Sequence, residues 1–374
     1  MSHKMKIGYD AKRAFLNNTG LGNYSRWLIK AMAGHYPDNE YFLYTPRVKL
    51  NSRLDFLSQF KNLITITPER KFFTSWWRSK GIIKDLQRDG IEIYHGLSHE
   101  LPSGIHKSGI RSVVTIHDLI FMRLPDNFGA ISRRIYEAKV KYACKVADKI
   151  VAISQKTKDD IVELLGTDAA KIEVIYQSID PIFTITQSAE QKEAVSAKYQ
   201  LPQQFLLSVG TIELRKNLLL LAKALKYINN IPLVVVGRPT KYLDEVKQYL
   251  STNNLTDRIV FLHDVDFADL PAIYQLASVF IYPSRYEGFG LPVLEALNCG
   301  VPVIAATGSC LAEAGGPNSL YVSPDNDKDL AEKISLILGD DILKQNMIAQ
   351  GLQYAANFAE DKLSAQLMQL YKNL

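Results

Sequence analysis

The feature that most constrains this chain is an alternation, made twice over, between short β-branched apolar runs and amphipathic stretches of helical period. In the first half, the runs 5–10, 41–46, 91–96, 112–118, 149–154 and 172–177 are rich in Val, Ile and Tyr and have the length of buried strands. Helical patterning between them is clearest at 133–148 and 155–165. The second half repeats the scheme, with strands expected at 205–210, 232–237, 258–263, 279–284 and 301–306. Its helices are expected at 217–228, 240–250, 268–277 and 291–298. Strands separated by single helices form parallel sheets covered on both faces. The expected fold class is α/β with two Rossmann-like domains, for which 374 residues suffice. Asp180-Pro181 followed by the polar stretch 184–192 sets the seam near 179–187, giving domains 1–182 and 183–357. The tail carries Leu363, Leu367, Leu370 and Tyr371 near helical spacing, so a helix at about 358–374 is expected to dock back on the first domain.

Charge is unevenly divided between the halves. Residues 1–180 hold 28 Lys+Arg against 19 Asp+Glu, a balance of +9, and residues 181–374 hold 16 against 20, a balance of −4. A basic half can meet phosphate or an acidic lipid surface, or reflect ordinary scatter. No run reaches the roughly 18–20 apolar residues of a membrane helix. The amino terminus runs straight into a strand-like segment, without the apolar run and small residues of a signal peptide. Cys144, Cys299 and Cys310 have no metal-ligand spacing and are expected to be free thiols. These features lead to the expectation of a cytoplasmic enzyme with no nucleic-acid partner.

The chemistry concentrates in Ser284-Arg285-Tyr286-Glu287-Gly288-Phe289-Gly290-Leu291-Pro292-Val293-Leu294-Glu295-Ala296. Here a strand ends, a glycine-bearing loop follows, and a helix starts with Pro292 in its first turn. Glycines allow close backbone approach, and the free N–H groups of a helix start favour an anion. Carboxyl ends of parallel strands are where α/β proteins bind ligands. Glu287 in the loop and Glu295 a turn into the helix can accept hydrogen bonds from different hydroxyls of one ligand. Upstream, Val209-Gly210-Thr211-Ile212-Glu213-Leu214-Arg215-Lys216-Asn217 places two cations between a strand and an apolar helix. A cationic pair at a helix start opposes the helix dipole, which points to a ligand-binding purpose.

The glutamate pair within EGFGLPVLEA resembles the donor motif of glycosyltransferase family 4 (glycosyltransferase group 1), a retaining family with the GT-B fold. The phosphate loop 209–217, the segment 304–313, the glycine loop Thr19-Gly20-Leu21-Gly22-Asn23 and Thr115-Ile116-His117-Asp118 extend the resemblance along the chain. It implies two Rossmann-like domains facing across a cleft, the first binding the acceptor and the second the nucleotide-sugar donor. Glu287 would hold donor sugar hydroxyls, Glu295 the ribose, and the amides of Phe289, Gly290 and Leu291 the sugar and diphosphate. Lys216, with Arg215, would hold the diphosphate beside Gly210 and Thr211, and Val265 would touch the base. Gly20 and Gly22 would lie against the diphosphate, and His117 would orient the sugar without serving as a general base. One departure is Thr211, which stands where many members have a second phosphate-binding arginine. His95 and His99 are expected near the acceptor pocket.

Asp264-Val265-Asp266 has the spacing by which GT-A enzymes hold a divalent ion, but Asp266 reads better as a helix N-cap. No metal or other cofactor is expected. The resulting expectation is a metal-independent hexosyltransferase of surface polysaccharide assembly acting on a glycan or lipid-linked acceptor. GDP-mannose is the first donor expected and UDP-glucose the second. A non-catalytic sugar-nucleotide-binding protein and a sugar-nucleotide epimerase are the alternatives, but Glu287 and Lys216 are both present and no epimerase text is seen. Peripheral contact with an anionic membrane is expected through Lys71, Phe72, Phe73, Trp76, Trp77, Arg78, Lys80 and Lys84, unless the aromatics form core.

Overall fold

A computed structural model describes residues 4–17, 19–49, 51–69, 73–228 and 230–374. The chain divides into two units, one of residues 1–178 with 358–374 and one of residues 179–357. The division thus falls a few residues before the expected 182/183. The turn Pro181–Thr184, which spans the expected boundary, goes whole with the second unit, where Phe183 packs edge-on against Phe267 and Tyr274.

The first unit is built on a parallel sheet of β1 (Lys6–Asp10), β2 (Glu40–Tyr44), β3 (Leu63–Ile66), β4 (Ile93–Gly96), β5 (Arg111–Ile116), β6 (Lys149–Ala152) and β7 (Ile172–Val174). Their spatial order is β3-β2-β1-β4-β5-β6-β7, so chain order reverses between β1 and β4. Burial explains the strand composition: Ile7, Tyr9, Val113, Val114, Ile150 and Val151 are wholly enclosed, as a sheet covered on both faces requires. The helix Gly20–His35 follows β1, and the helix Ala130–Val146 precedes β6. The carboxyl-terminal helix Glu360–Lys372 returns to this unit and buries Leu363, Leu367, Leu370 and Tyr371.

The second unit has a parallel sheet of β8 (Leu206–Val209), β9 (Leu233–Val236), β10 (Ile259–Leu262), β11 (Val279–Tyr282), β12 (Val303–Ala306) and β13 (Leu320–Val322), ordered β10-β9-β8-β11-β12-β13. Here the reversal falls between β8 and β11. In each unit two neighbouring strands therefore send their chains away in opposite directions at the carboxyl edge, leaving a crevice between loops. The strands absent from the sequence expectation, β3 and β13, are both edge strands of four and three residues. β3 is only partly buried and its apolar run is broken by Thr65, and β13 is an apolar run of only three residues, too short to mark a strand by periodicity.

Candidate active site

In the second unit the loop after β8 and the loop after β11 meet at the β8/β11 crevice. Gly210 takes φ +149°, a backbone conformation open to glycine, directly after β8. Asn217, with φ +59°, ends the 3-10 turn Leu214–Lys216 and opens the helix Leu218–Ala224. Its amide donates to the carbonyls of Pro283, at 3.2 Å, and Pro324, at 2.8 Å, which fastens the cationic turn to the end of β11. The backbone N–H of Arg285 donates to the Arg215 carbonyl, at 2.9 Å, and closes the junction.

This anchoring brings both cations onto one carboxylate. Lys216 Nζ lies 2.5 Å from Glu287 Oε1, and Arg215 Nη1 lies 2.7 Å from Glu287 Oε2. Ser284 donates to Glu287 Oε1 at 2.6 Å, and Tyr282 does so at 3.2 Å. Burial by itself would lift the Glu287 carboxyl, but the Lys216 ammonium and Arg215 guanidinium hold it well below the ordinary carboxylate range. Arg215 also reaches Glu213, at 2.6 Å, and the Tyr286 carbonyl. Lys216 rests over the Tyr282 ring, 4.9 Å from its centroid. The result is a preformed cluster of two cations, a carboxylate and hydroxyls, suited to an anionic ligand carrying hydroxyl groups.

The same loop leads into the helix Leu291–Asn298, with Gly290 at its start in a φ of +132°. Conformation requires glycine there, and a Cβ would also crowd Leu311 Cδ2 at 2.9 Å. The Cys310 thiol donates to the carbonyls of Glu287 and Phe289, and Ser309 accepts from the Glu287 N–H at 2.9 Å. Glu295 sits a turn into the helix, where the Tyr274 hydroxyl donates to its Oε2 at 2.9 Å. Burial pushes this carboxyl up to about 7, only partly offset by that hydrogen bond. Their environments therefore shift the two glutamates in opposite directions. Thr211 and Val265 are half-buried at the ends of β8 and β10.

Asp266 occupies the N-cap position expected of it, but its side chain makes no capping hydrogen bond and instead pairs with Lys198 at 2.5 Å. Among the described residues, no group of three or more His, Cys, Asp or Glu side chains is placed to hold a metal ion.

In the first unit, Gly20 and Gly22 are the first and third residues of the helix Gly20–His35, and neither has a positive φ. The glycine loop of the sequence is therefore the first turn of this helix. Gly22 is required for space, because a Cβ would lie 1.9 Å from the Asn17 carbonyl oxygen, whereas one at Gly20 meets nothing within 4 Å. Two residues on, Tyr24 meets His117 edge-on at 4.6 Å between ring centroids. His117 follows β5, is buried, and donates from Nε2 to the Leu97 carbonyl at 2.9 Å. Burial, reinforced by His99, lowers it to about 3, so it is neutral near pH 7. His99 packs against it at 5.3 Å with a φ of +62° and a buried Nδ1 that has no hydrogen-bond partner among the described residues. His95, expected near an acceptor pocket, is wholly buried within β4 instead. Its Nδ1 bonds the Tyr371 hydroxyl at 2.6 Å and its Nε2 the Thr115 hydroxyl at 2.8 Å, so it ties the last helix to the sheet.

The expected membrane-facing group is divided by the fold. Lys71 and Phe72 lie outside the described residues. Trp77 is buried, its indole N–H donating to Asp85 at 2.6 Å, and Arg78 is held between Asp10 and Glu100. Phe73 and Trp76 are exposed, at 66% and 59%, as are Lys80 and Lys84. Tyr274, Tyr282, Ser309 and Cys310 complete the site but carried no signal of their own, being single residues in ordinary apolar or loop contexts.

Residues 190–354 match the family described as glycosyl transferases group 1, and residues 20–183 match Glycosyltransferase Family 4. O-antigen chain mannosyltransferase B of Escherichia coli is 31% identical over 288 residues, 75% of this chain and 74% of that protein. O-antigen chain mannosyltransferase RfbU of Salmonella typhimurium is 30% identical over 225 residues, 60% of each chain. A solved structure of Anabaena Alr3699/HepE in complex with UDP and glucose superposes with a TM-score of 0.75, covering all of both chains at 19% identity. The chain belongs to the group 1, family 4 glycosyltransferases and has their GT-B fold. It is a hexosyltransferase, using a nucleotide-sugar donor and a glycan acceptor.

Proposed function

We propose that this enzyme transfers mannose from GDP-mannose, with retention of anomeric configuration and without a metal ion, to a growing surface polysaccharide. The observation that carries the reading is the buried Glu287 held by Lys216 and Arg215 at the β8/β11 crevice. In this reading the two cations turn toward the diphosphate and neutralise the charge that builds as it leaves. Glu287, released to accept hydrogen bonds, orients the sugar hydroxyls, and Glu295 receives the ribose. The amides of Phe289, Gly290 and Leu291 add backbone donors at the helix start. Gly210, Thr211 and Val265 supply the close backbone approach and the base contact. His117, too weak a base to take a proton near pH 7, positions the sugar.

Mannose as the transferred sugar, and polysaccharide as the product, are supported by the names of the E. coli and Salmonella relatives. Exposed Phe73 and Trp76, with Lys80 and Lys84 beside them, support peripheral contact between the first unit and an anionic membrane surface. Among the described residues no helix is long and apolar enough to cross a membrane.

Thermal unfolding with a panel of sugar nucleotides tests the donor. A ligand at a hundred times its Kd adds about 2.7 kcal/mol, so GDP-mannose should raise Tm more than UDP-glucose. A larger rise with UDP-glucose would overturn the mannose assignment. NMR of the freshly formed product then reads the anomer, and inversion would overturn retention.

A further inference from the structure

Five buried polar side chains of the first unit are joined into one hydrogen-bonded chain that ends beside His117. The Tyr24 hydroxyl lies 3.1 Å from Thr115 Oγ1, which lies 2.8 Å from His95 Nε2. On the other side of the ring, His95 Nδ1 lies 2.6 Å from the Tyr371 hydroxyl, itself 3.5 Å from that of Tyr9. Tyr9, Tyr24, His95, Thr115 and Tyr371 are all buried. The chain thus links β1, β4 and β5 with the helix Gly20–His35 and the carboxyl-terminal helix Glu360–Lys372.

Burial, with His117 nearby, lowers His95 to about 3, so the ring is neutral near pH 7, with one nitrogen a donor and the other an acceptor. Its two hydroxyl partners must therefore take opposite roles. When Tyr371 donates to Nδ1, Nε2 donates to Thr115; when Nδ1 donates to Tyr371, Thr115 donates to Nε2. The Thr115 oxygen carries the choice on to Tyr24, whose hydroxyl has no other partner among the described residues. What the last helix presents at Tyr371 thus decides, across His95, how Tyr24 is held. A buried network with every link made is rigid, and one missing partner strands a buried polar group.

Tyr24 carries the chain to His117. It lies on the helix Gly20–His35, two residues after Gly22, and its ring meets His117 edge-on. At the far end of the same helix, His35 Nε2 lies 3.4 Å from Glu360 Oε1, at the start of the last helix. Eleven residues separate Tyr24 from His35 and eleven separate Glu360 from Tyr371, about 16 Å of helix in each case. The two helices therefore lie antiparallel and are tied at both ends. We propose that Tyr371 and His95 are positioning residues for glycosyl transfer: through Thr115 they hold Tyr24, and Tyr24 holds His117 in place for the donor sugar. The proposal rests on the reading of His117 as the group that orients that sugar.

The test uses the whole chain, its seven histidines labelled with ¹³C and ¹⁵N. The ring ¹⁵N signals read which nitrogen of His95 carries the proton, and the ring ¹H and ¹³C signals of His117 read its place beside Tyr24. In Tyr371→Phe the His95 proton should sit on Nε2, and in Thr115→Val on Nδ1, because in each variant only that nitrogen keeps a hydroxyl partner. Each replacement is nearly isosteric. Tyr371→Phe should also shift the His117 signals. Tyr41→Phe, which removes a buried hydroxyl bonded to the Met32 and Tyr36 carbonyls, should change neither ring. In hydrolysis of GDP-mannose, read as GDP release, Tyr371→Phe and Thr115→Val should each lower kcat about tenfold or more with KM within about twofold, the mark of misplacement and not of lost binding. Their combination should cost no more than Thr115→Val alone. The same His95 tautomer in both variants, unmoved His117 signals in Tyr371→Phe, an unchanged kcat, additive losses, or an equal loss in Tyr41→Phe would each overturn the proposal. If GDP-mannose fails to bind the parent chain, the donor reading falls, and the ring signals alone decide the positioning one.

Discussion

Lys216 and Glu287, seventy-one residues apart in the chain, meet at 2.5 Å between Nζ and Oε1. Each arrives from a different strand, Lys216 from the turn after β8 and Glu287 from the loop after β11. With Arg215 on the second carboxylate oxygen, the pairing satisfies three charges in a site shielded from water. A buried pair contributes little net stability, yet removing one member leaves a costly uncompensated charge.

That asymmetry separates structural from binding roles. Glu287→Gln should destabilise the fold by about 1–3 kcal/mol, because two buried cations lose their shared anion. Adding Lys216→Met should recover part of that loss while abolishing nucleotide diphosphate binding. Urea denaturation and calorimetry on the single and double variants check this. Recovery of binding in the double variant would show that Lys216 does not hold the diphosphate.

Glu295 sets a pH dependence of opposite kind to an ordinary paired carboxylate. Its pKa rises from the ordinary 4.5 to about 7 on folding, chiefly by burial. The unfolded chain then loses this proton first, so its contribution is fully present below pH 4.5 and is lost as pH rises through 7. The swing is roughly 3 kcal/mol. Comparing Tm from pH 4.5 to 8 in the parent and in Glu295→Gln should show that the variant lacks this part of the decline. Parallel curves would place the Glu295 pKa near its ordinary value.

Removal of metal ions provides a third check. If Arg215, Lys216 and the amides at the start of helix Leu291–Asn298 neutralise the diphosphate, transfer should persist in EDTA at its original rate. Lys216→Ala should lower kcat by about a hundredfold or more, the scale of a lost electrostatic donor. Complete loss in EDTA, restored by Mn²⁺, would require a cation in the mechanism.

Gly20 and Gly22 should respond differently to the same substitution. Gly22→Ala forces its Cβ against the Asn17 carbonyl, so Tm should fall by several degrees. Gly20→Ala has open space and gains helix propensity, so Tm should hold or rise slightly. A donor affinity that falls in Gly20→Ala at unchanged Tm places a ligand against that glycine. Unchanged affinity would leave Gly20 as a plain helix start.

Membrane contact is tested by co-sedimentation with vesicles. Binding should appear with anionic lipid, weaken at high salt, and fall when Phe73 and Trp76 are both replaced by Ser. Trp77→Phe serves as a contrast: it removes the hydrogen bond to Asp85 and should lower stability without changing sedimentation. Equal loss in both variants would assign the effect to folding.

Much of the architecture was legible in the sequence because it is written in local periodicity. Runs such as Leu233–Val236 and Val279–Tyr282 are apolar on both faces because both faces are covered. Periodicity of that kind shows in a short window. The edge strands β3 and β13 were not legible, since Thr65 breaks the four-residue run Leu63–Ile66 and Leu320–Val322 is only three residues long, too short for a period to show. The Phe73–Trp77 segment shows the same limit. Its aromatic spacing fitted a helical stripe, but only packing decided that Trp77 is buried against Asp85 and Trp76 faces solvent.

Local sequence specifies the two alternating α/β halves, the glycine-bearing loop before Leu291–Asn298, and the glutamate pair a turn and a loop apart. These depend on the conformational preferences of neighbouring residues and on spacing along one segment. Tertiary structure alone decided that Arg215 and Lys216 converge on Glu287, that Arg78 bridges Asp10 and Glu100, and that His95 is tied to Tyr371 across 276 residues. The first two arise at the carboxyl edges where strand order reverses, and the third where the last helix packs back on β4. Which side chains meet there depends on the ordering of whole strands in space, a property no local window of the chain contains.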